Sequence, residues 1–264
     1  MMKVLIRGGG DLASGIALRL FKIHFNVVIL EINQPRFVRR SVSFGNAVYE
    51  RKTNVEGVAG FFVDSQQALK DFDFSNGIPV LIDPDANIRT IYQPDVLIDA
   101  RMLKKYVPYD LDKRPFVLGL GPGFSGGENC HAAIETNRGH FLGRVIWDGP
   151  AQADTGAPGI VNGQQYKRVL RAPIAGKLHS EAKLGQIFKQ GERICYVNEE
   201  SVYAPFDGCL RGLMQTGLHV SIGEKIGDLD PRLDPKLTQF VSEKSLAIAG
   251  GVLEAILSHY NLIK

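Results

Sequence analysis

The stretch KVLIRGGGDLASG, residues 3–15, decides how the fold of this chain begins. Residues 3–6 form a short aliphatic run typical of a buried strand, and the segment ALRLFKIHF that follows the glycines repeats its apolar residues at helical spacing. Gly8, Gly10 and Ala13 match the G-x-G-x-x-G/A spacing of a phosphate-binding turn between a strand and a helix. The opening residues therefore predict a strand, a tight glycine loop and a helix.

A second apolar run, NVVILEI at residues 26–32, predicts a strand buried on both faces. Glu31 ends this strand about twenty residues after the glycines, where a dinucleotide fold carries its ribose-binding carboxylate. We predict further strands at 47–50, 79–83, 96–99 and 116–120, and a helix at 65–72. This alternation favours an α/β class with an N-terminal, doubly wound, Rossmann-like parallel sheet.

A second glycine-rich segment, GLGPGFSGG at residues 119–127, follows the predicted strand FVLGL. Ligands of open α/β sheets bind beyond the carboxyl ends of the strands, so both glycine loops are expected to line one crevice. The predicted cofactor-binding residues are Gly8, Gly9, Gly10, Asp11, Ala13, Glu31, Gly119, Gly121 and Gly123. The alternatives are a first loop that binds no nucleotide, because Asp11 would repel phosphate unless it points away, and a second loop that is only a mobile turn.

Polar side chains are concentrated at residues 128–149. The weak catalytic candidates in this segment are Cys130, His131, Glu135, Arg138 and His140. On a helix, His131 and Glu135 would share a face and chelate a metal, but the spacing matches no established metal signature, so we predict no metal site. The alternative is a structural helix pair in a helix that ends at Gly139. Thiolate chemistry at Cys130 would need a nearby cation or helix N-terminus.

The C-terminal half contains an internal repeat with an offset of 32 residues. RAPIAGKLHSEAKLGQIFKQGERI (171–194) and YAPFDGCLRGLMQTGLHVSIGEKI (203–226) align without a gap at eight identical positions. Two such units predict a small all-β barrel that resembles the biotinyl/lipoyl-type barrel-sandwich hybrid domain. The link between the halves contains no lysine, so we expect a scaffold, a docking surface or one wall of a cleft rather than a covalent carrier.

Composition sets the broad class of the protein. The chain has 264 residues, 44% of them hydrophobic and 22% charged, and a formal net charge of +3. These values suit a soluble globular protein of two domains and give little support for nucleic-acid binding. We expect no membrane span, no signal peptide, a cytoplasmic location and three free thiols.

The predicted domains are a Rossmann-like domain at 1–128, a polar connecting segment at 129–166, the barrel at 167–231, and a linker and C-terminal helix at 232–264. We expect Ser242 to cap this helix, and the helix to pack back on the first domain. Gly250 and Gly251 are costly inside a helix, so we expect close packing on the first domain there, with the approach of a ligand as the alternative.

Sequence motifs along nearly the whole chain resemble those of one family. The motifs are RGGGDLASG, EINQPRFVRRSVSFGNAVYE, VEGV, PDVLIDARM, GLGPGF, CHAAIETNRGH, LGRVI, TGAPG, RAPIAG, APFDG and AIAGGVLEAIL. They resemble the YqeB-type family of selenium-dependent molybdenum hydroxylase system proteins. The resemblance implies an accessory or maturation role that handles selenium or the molybdenum cofactor. It also implies a hydroxylase or other maturation factors as partners, and a distant similarity to the Rossmann-type sulfuration factors of xanthine dehydrogenases.

Three functions follow from these observations. The first is a maturation factor that binds a nucleotide, a dinucleotide or the molybdenum cofactor between the two glycine loops. The second is an NAD(P)-dependent oxidoreductase, in which Glu31 favours NAD because a carboxylate repels a 2′-phosphate. The third is a non-catalytic module that docks a molybdoenzyme through the barrel. The sequence leaves open whether the chain is an enzyme and whether it forms a homo-oligomer.

Overall fold

The computed structural model describes residues 1–261, and the chain divides into two compact units. Unit 1 consists of residues 1–35, 43–155 and the C-terminal segment from Val241, and unit 2 consists of residues 36–42 and 156–240. The last three residues of the predicted segment 232–264 lie outside the described part of the chain. Unit 1 therefore includes the C-terminal helix together with the N-terminal glycine loop.

Unit 1 is a mixed α/β unit with a large, mostly parallel sheet and a C-terminal helix. Its strands are β1 (Lys3–Arg7), β2 (Asn26–Glu31), β3 (Lys52–Val55), β4 (Val58–Phe62), β5 (Ile78–Ile82), β6 (Val96–Asp99), β7 (Phe116–Leu120), β8 (Ser125–Gly126), β9 (Ala132–Ile134), β10 (Val145–Ile146) and β11 (Gly149–Pro150). Its helices are α1 (Asp11–Lys22), α2 (Ala47–Glu50), α3 (Gln66–Lys70), α4 (Arg89–Tyr92) and α5 (Glu243–His259).

The nine-stranded sheet has the order β10-β9-β7-β6-β1-β2-β5-β4-β3. The seven inner strands pair in parallel, and the two edge strands, β3 and β10, pair antiparallel with their neighbours. Strands β2 to β5 lie on one side of β1 in the sheet, and β6 lies on the other side. The carboxyl ends of β1 and β6 thus form the topological switch point, where ligands of such sheets bind.

Two helices that are far apart in sequence pack together in unit 1. α1 carries Ala13 and Gly15 on its buried face, and a Cβ atom on Gly15 would lie 2.6 Å from the Ser245 Cβ of α5. Ser242 begins α5 by accepting a hydrogen bond from the Ser245 N–H, which confirms the predicted cap. This contact brings the first turns of α1 and α5 side by side.

The two glycines inside α5 have different surroundings. A Cβ atom on Gly251 would lie 2.0 Å from the Gly143 carbonyl oxygen, so close backbone packing at Gly251 is confirmed. Gly250 is exposed, with open space where its Cβ would be, so the expectation of close packing at this position is wrong. Only Gly251 is therefore required by the packing of the helix.

Two secondary-structure predictions in unit 1 are wrong. Residues 47–50 form the short helix α2, which ends where Arg51 adopts φ +64°, instead of a strand. Residues 128–149 contain no helix in the structure: the apolar residues 132–134 form β9, which pairs in parallel with β7, and 145–146 form its antiparallel neighbour. Pairing with the sheet overrides the weak helical spacing of His131 and Glu135.

Unit 2 contains two four-stranded antiparallel sheets whose strands follow the sequence repeat. The strands are β12 (Val169–Arg171), β13 (Gly176–His179), β14 (Ile187–Phe188), β15 (Arg193–Val197), β16 (Glu200–Tyr203), β17 (Gly208–Leu213), β18 (His219–Val220) and β19 (Lys225–Asp230). The orders are β12-β19-β17-β14 and β16-β15-β13-β18. Each strand of one sheet has a counterpart in the other sheet, 32 residues away in the sequence, and the counterparts follow the same order. Each sheet therefore combines strands from both halves of the repeat.

The cysteines and the hydrophobicity of the helices complete the description of the fold. Cys130, Cys195 and Cys209 are free and buried, as predicted. Within residues 1–261, no helix combines the length and the hydrophobicity needed to span a membrane.

Candidate functional site

The first glycine loop lies at the carboxyl end of β1 and contacts the segment that follows β6. Gly8 adopts φ +94°, a conformation that requires glycine, and its N–H donates to the Leu30 carbonyl at 2.8 Å. A Cβ on Gly8 would lie 3.4 Å from the Ala100 carbonyl group. Backbone contacts on both sides thus hold the loop at the switch point between β1 and β6.

Glu31 hydrogen-bonds to the glycine loop itself. Its Oε1 accepts from the Gly9 N–H at 2.7 Å and its Oε2 from the Ile32 N–H at 3.0 Å. Burial raises the pKa of the carboxyl group, and the two backbone hydrogen bonds partly oppose that shift. Gly9 also packs against the backbone of Gly45, where a Cβ would lie 2.8 Å from the Gly45 Cα. Glu31 and Gly9 therefore have structural roles in the loop.

The N-terminus of α1 has no side-chain cap. Gly10 is the N-cap residue, no side chain caps the helix, and the Ser14 N–H makes the first helical hydrogen bond to the Gly10 carbonyl. The first N–H groups of a helix lack helical partners and attract anions. The Asp11 carboxylate accepts a hydrogen bond from the Ser245 hydroxyl at 2.9 Å. Asp11 is thus held towards α5.

Lys244, in the first turn of α5, is a basic group that the sequence analysis did not select. Its side chain is half-buried, and within residues 1–261 it forms no ion pair or side-chain hydrogen bond. Burial lowers the pKa of the Lys244 ammonium group; Arg138 lowers it further, whereas Asp11, Glu135 and Asp154 raise it. This set of neighbours places Lys244 between α1 and the carboxyl end of β9.

The carboxylates around Lys244 already have other partners. Asp11 accepts a hydrogen bond from the Ser245 hydroxyl, and Glu135 accepts from the Asn137 N–H at 2.6 Å and the Gln152 N–H at 2.8 Å. The other two carboxylates form ion pairs, Glu243 with Arg138 and Asp154 with Lys104. Within residues 1–261, Lys244 is therefore a half-buried cation that pairs with none of these carboxylates and lies near the uncapped end of α1.

The second glycine loop is closed by packing. A Cβ on Gly119 would lie 2.1 Å from the Phe124 ring, and a Cβ on Gly123 would lie 2.5 Å from the Leu103 carbonyl oxygen. Gly121 adopts φ +84° and faces Met102 and Thr136. Both loops nevertheless lie along the carboxyl edge of the sheet, because β6 lies between β1 and β7. The residues that follow β6 contact both loops. No helix follows the second loop.

Cys130 and His131 are bound within the fold. Burial raises the pKa of the Cys130 thiol to about 12, which disfavours a nucleophilic thiolate. His131 Nδ1 accepts from the Val117 N–H at 2.9 Å, so Nε2 carries the proton and donates to the Leu111 carbonyl at 3.1 Å. Both ring nitrogens of His131 are therefore occupied by backbone groups.

The remaining catalytic candidates are not assembled into one centre. Glu135 is almost fully buried and accepts two backbone hydrogen bonds, Arg138 pairs with Glu243, and His140 contacts the ring of Phe141. Within residues 1–261, no group of three or more His, Cys, Asp or Glu side chains is arranged to hold a metal ion. Of these candidates, only Glu135 and Arg138 contribute to the electrostatics of Lys244.

A buried polar network at the switch point also escaped the sequence analysis. Asp99 is fully buried at the end of β6 and accepts from Arg101 Nη2 at 2.5 Å and from the Tyr109 hydroxyl at 2.7 Å. Arg7 in turn donates to the Tyr109 oxygen at 2.9 Å. Burial raises the pKa of Tyr109 to about 12, so the phenol stays neutral. The signal in the sequence is the acidic residue that ends the apolar run VLID.

The comparison with curated proteins gives one relevant relative. The chain is 43% identical over 254 residues, 96% of its length, to a protein named "Uncharacterized protein YqeB" from Escherichia coli (strain K12). The chain is similar to YqeB over nearly its whole length. It spans 47% of the length of that relative, and no protein-family model matches it.

Solved structures show only distant similarity. An aspartoacylase family protein from Mesorhizobium loti aligns with a TM-score of 0.26 and 7% identity, covering 86% of this chain and 84% of that chain. A succinylglutamate desuccinylase/aspartoacylase from Rhodobacter sphaeroides aligns with a TM-score of 0.26 and 13% identity, covering 86% and 85%. At these TM-scores, the matches carry no structural or functional argument.

Proposed function

We propose that unit 1 binds a nucleotide or another phosphate-containing ligand at the first glycine loop, and that this binding serves an accessory protein of a molybdenum hydroxylase system. The observation that carries the binding proposal is Lys244, a half-buried cation beside the uncapped N-terminus of α1 that forms no ion pair or side-chain hydrogen bond within residues 1–261. A helix N-terminus and a lysine ammonium group both stabilise phosphate oxygens. Their position at the carboxyl edge of the sheet matches where open α/β sheets bind ligands.

The role in a molybdenum hydroxylase system rests on the sequence motifs that resemble the YqeB-type family. In this proposal, the chain acts in the cytoplasm on the cofactor or on selenium, with the hydroxylase or other maturation factors as partners. Unit 2, in its proposed form of a barrel-sandwich hybrid, supplies a scaffold for that assembly. Measuring molybdenum hydroxylase activity in source cells that lack the gene tests this part: unchanged activity in a strain known to use the enzyme would refute it.

The binding proposal is tested by isothermal titration calorimetry of the full chain with pyrophosphate, ADP and NADH. We expect at least one of the three to bind, and Lys244→Met to weaken that binding roughly tenfold to a hundredfold, since a charge-assisted hydrogen bond contributes about 1.5–3 kcal/mol. Lys22→Met removes an exposed lysine from the last turn of α1 and is the matched control. Equal affinity of wild type and Lys244→Met would place the ligand elsewhere.

The oxidoreductase alternative requires Glu31 to bind the cofactor. Its carboxylate would have to bind the ribose hydroxyls of NAD, yet each oxygen already accepts a backbone N–H from Gly9 or Ile32. This geometry favours the accessory function over hydride transfer. Titration with NADH separates the two: absence of NADH binding at millimolar concentration, with pyrophosphate or ADP binding retained, excludes the dehydrogenase.

The docking alternative assigns partner binding to unit 2. Tyr203 and Ile222 are largely exposed apolar side chains of this unit and favour such a surface. Co-purification of a molybdenum hydroxylase with the full chain, lost on Tyr203→Ser or Ile222→Ser while pyrophosphate binding is unchanged, would support docking as the main role.

A further inference from the structure

Unit 1 contains a second recess, separate from the glycine loop, between α4 and the segment that leads into β7. Its cavity volume is about 690 Å³. Small-molecule sites are typically clefts of roughly 300–1,000 Å³ with apolar walls and a few polar groups. This recess therefore has the size of a small-molecule site, and none of the loop glycines or Lys244 lines it.

The floor of the recess is apolar and rigid. Leu97 of β6 and Val117 of β7 lie next to each other in the parallel sheet, and both are almost fully buried. Pro94, Pro115 and the ring of Tyr109 extend this surface. Because its floor is formed by two central strands, the recess suits an aromatic or aliphatic body.

The rim of the recess carries an excess of one positive charge. Lys113 Nζ lies 2.8 Å from Asp110 Oδ2, and Arg114 Nη1 lies 3.9 Å from Asp95 Oδ1. The third cation, Arg89, forms no ion pair or side-chain hydrogen bond within residues 1–261. A guanidinium group binds a carboxylate through two parallel hydrogen bonds, so Arg89 is suited to a carboxylate.

We propose that this recess binds a small organic monocarboxylate, with its apolar body over Leu97 and Val117 and its carboxylate on Arg89. One unpaired cation matches one negative charge, which favours a monocarboxylate over a phosphate ester. Tyr109 lines the recess and also hydrogen-bonds to Arg7, the residue before the glycine loop. A molecule bound in the recess would therefore lie beside Tyr109, whose hydroxyl accepts a hydrogen bond from Arg7 at the end of β1.

The probe for this proposal is 6-bromo-2-naphthoate, with the neutral 6-bromo-2-naphthalenemethanol as its comparator. In crystals of the full chain soaked with the naphthoate, we expect the bromine anomalous signal above Leu97 and Val117. In calorimetric titrations, the naphthoate should bind at least tenfold more tightly than the alcohol. A bromine signal elsewhere, or equal affinity for the two compounds, would overturn the proposal.

Variants distinguish this site from the glycine-loop site. Arg89→Gln should weaken naphthoate binding roughly tenfold, and Thr90→Trp, which fills the recess without removing a charge, should abolish it. Arg19→Gln, an exposed arginine of α1 that does not line the recess, is the matched control. Lys244→Met should leave naphthoate binding unchanged, so failure of the phosphate proposal does not affect this one. Full binding in both Arg89→Gln and Thr90→Trp would refute it.

Discussion

The two glycine-rich loops of unit 1 have similar sequences and different physical roles. Each follows a buried parallel strand and ends at the same edge of the sheet. The first loop leads into α1, whose N-terminus has no side-chain cap and lies beside Lys244. The second leads into packed backbone, where Gly119 accommodates the Phe124 ring and Gly123 accommodates the Leu103 carbonyl. We therefore treat the first loop, which a helix terminus and a cation accompany, as the candidate ligand site.

The largest effect is expected in the second loop. Gly119→Ala would place a Cβ 2.1 Å from the Phe124 ring, inside the core of the sheet. We expect a loss of about 3 kcal/mol or more in the free energy of unfolding, since the overpacked ring cannot move without disturbing the core. Urea denaturation of wild type and variant measures this loss. A change below about 1 kcal/mol would mean that the second loop is not fixed by packing.

The neighbouring glycines of α5 give a matched pair on the helix that presents Lys244. Gly251→Ala would place a Cβ against the Gly143 carbonyl and should cost about 2 kcal/mol. Gly250→Ala meets open space and should stabilise the chain by about 0.5–1 kcal/mol, because alanine has the higher helix propensity. Thermal and urea unfolding test both; destabilisation by the two variants alike would contradict the packing described for α5.

The cysteine that follows the second loop should be structural. Cys130→Ala is expected to cost about 1 kcal/mol of unfolding free energy and to leave pyrophosphate binding unchanged. At pH 8 the native thiol should not react with 5,5′-dithiobis(2-nitrobenzoate), because burial raises the pKa of Cys130 to about 12. The denatured chain, in which all three cysteines react, is the control. Rapid modification of native Cys130 would restore it as a candidate nucleophile.

The smallest effect concerns the pH dependence set by Glu31 in the first loop. Burial raises the pKa of its carboxyl group above the usual 4.5, so the folded chain binds this proton more tightly than the unfolded chain. Its contribution to stability is complete below pH 4.5 and is lost as the pH rises through the raised pKa. Glu31→Gln should remove this part of the pH dependence in urea unfolding. An unchanged profile would show that Glu31 ionises as in the unfolded chain.

Local sequence predicted much of the fold. The predicted strands at 96–99 and 116–120 coincide with β6 and β7, and the 32-residue repeat reappears as strands that begin at Gly176 and Gly208 or at Arg193 and Lys225. Apolar runs bounded by glycine or proline define buried strands through burial alone, which is a local property. The predictions for segment 47–50 and for the segment around Glu135 are wrong. Their short apolar patterns are compatible with a helix or a strand, and tertiary contacts determine which of the two forms.

The candidate site was predictable only in part. Gly8, Gly10 and Ala13 follow from spacing, because the strand, turn and helix they connect are contiguous in the sequence. Lys244 lies more than 230 residues from that loop, and its role depends on the contact between Gly15 and Ser245. In the proposed site its charge is important because the neighbouring carboxylates of residues 1–261 have other partners, which the sequence does not show.

The proposed anion site at the first glycine loop is tested most directly by locating the oxyanion in crystals of the full chain soaked with tungstate. We expect an anomalous tungsten signal within hydrogen-bonding distance of Lys244 Nζ and the first-turn N–H groups of α1, and loss of that signal in Lys244→Met. A signal at the second glycine loop, or one that persists in Lys244→Met, would contradict the assignment of the first loop as the anion site.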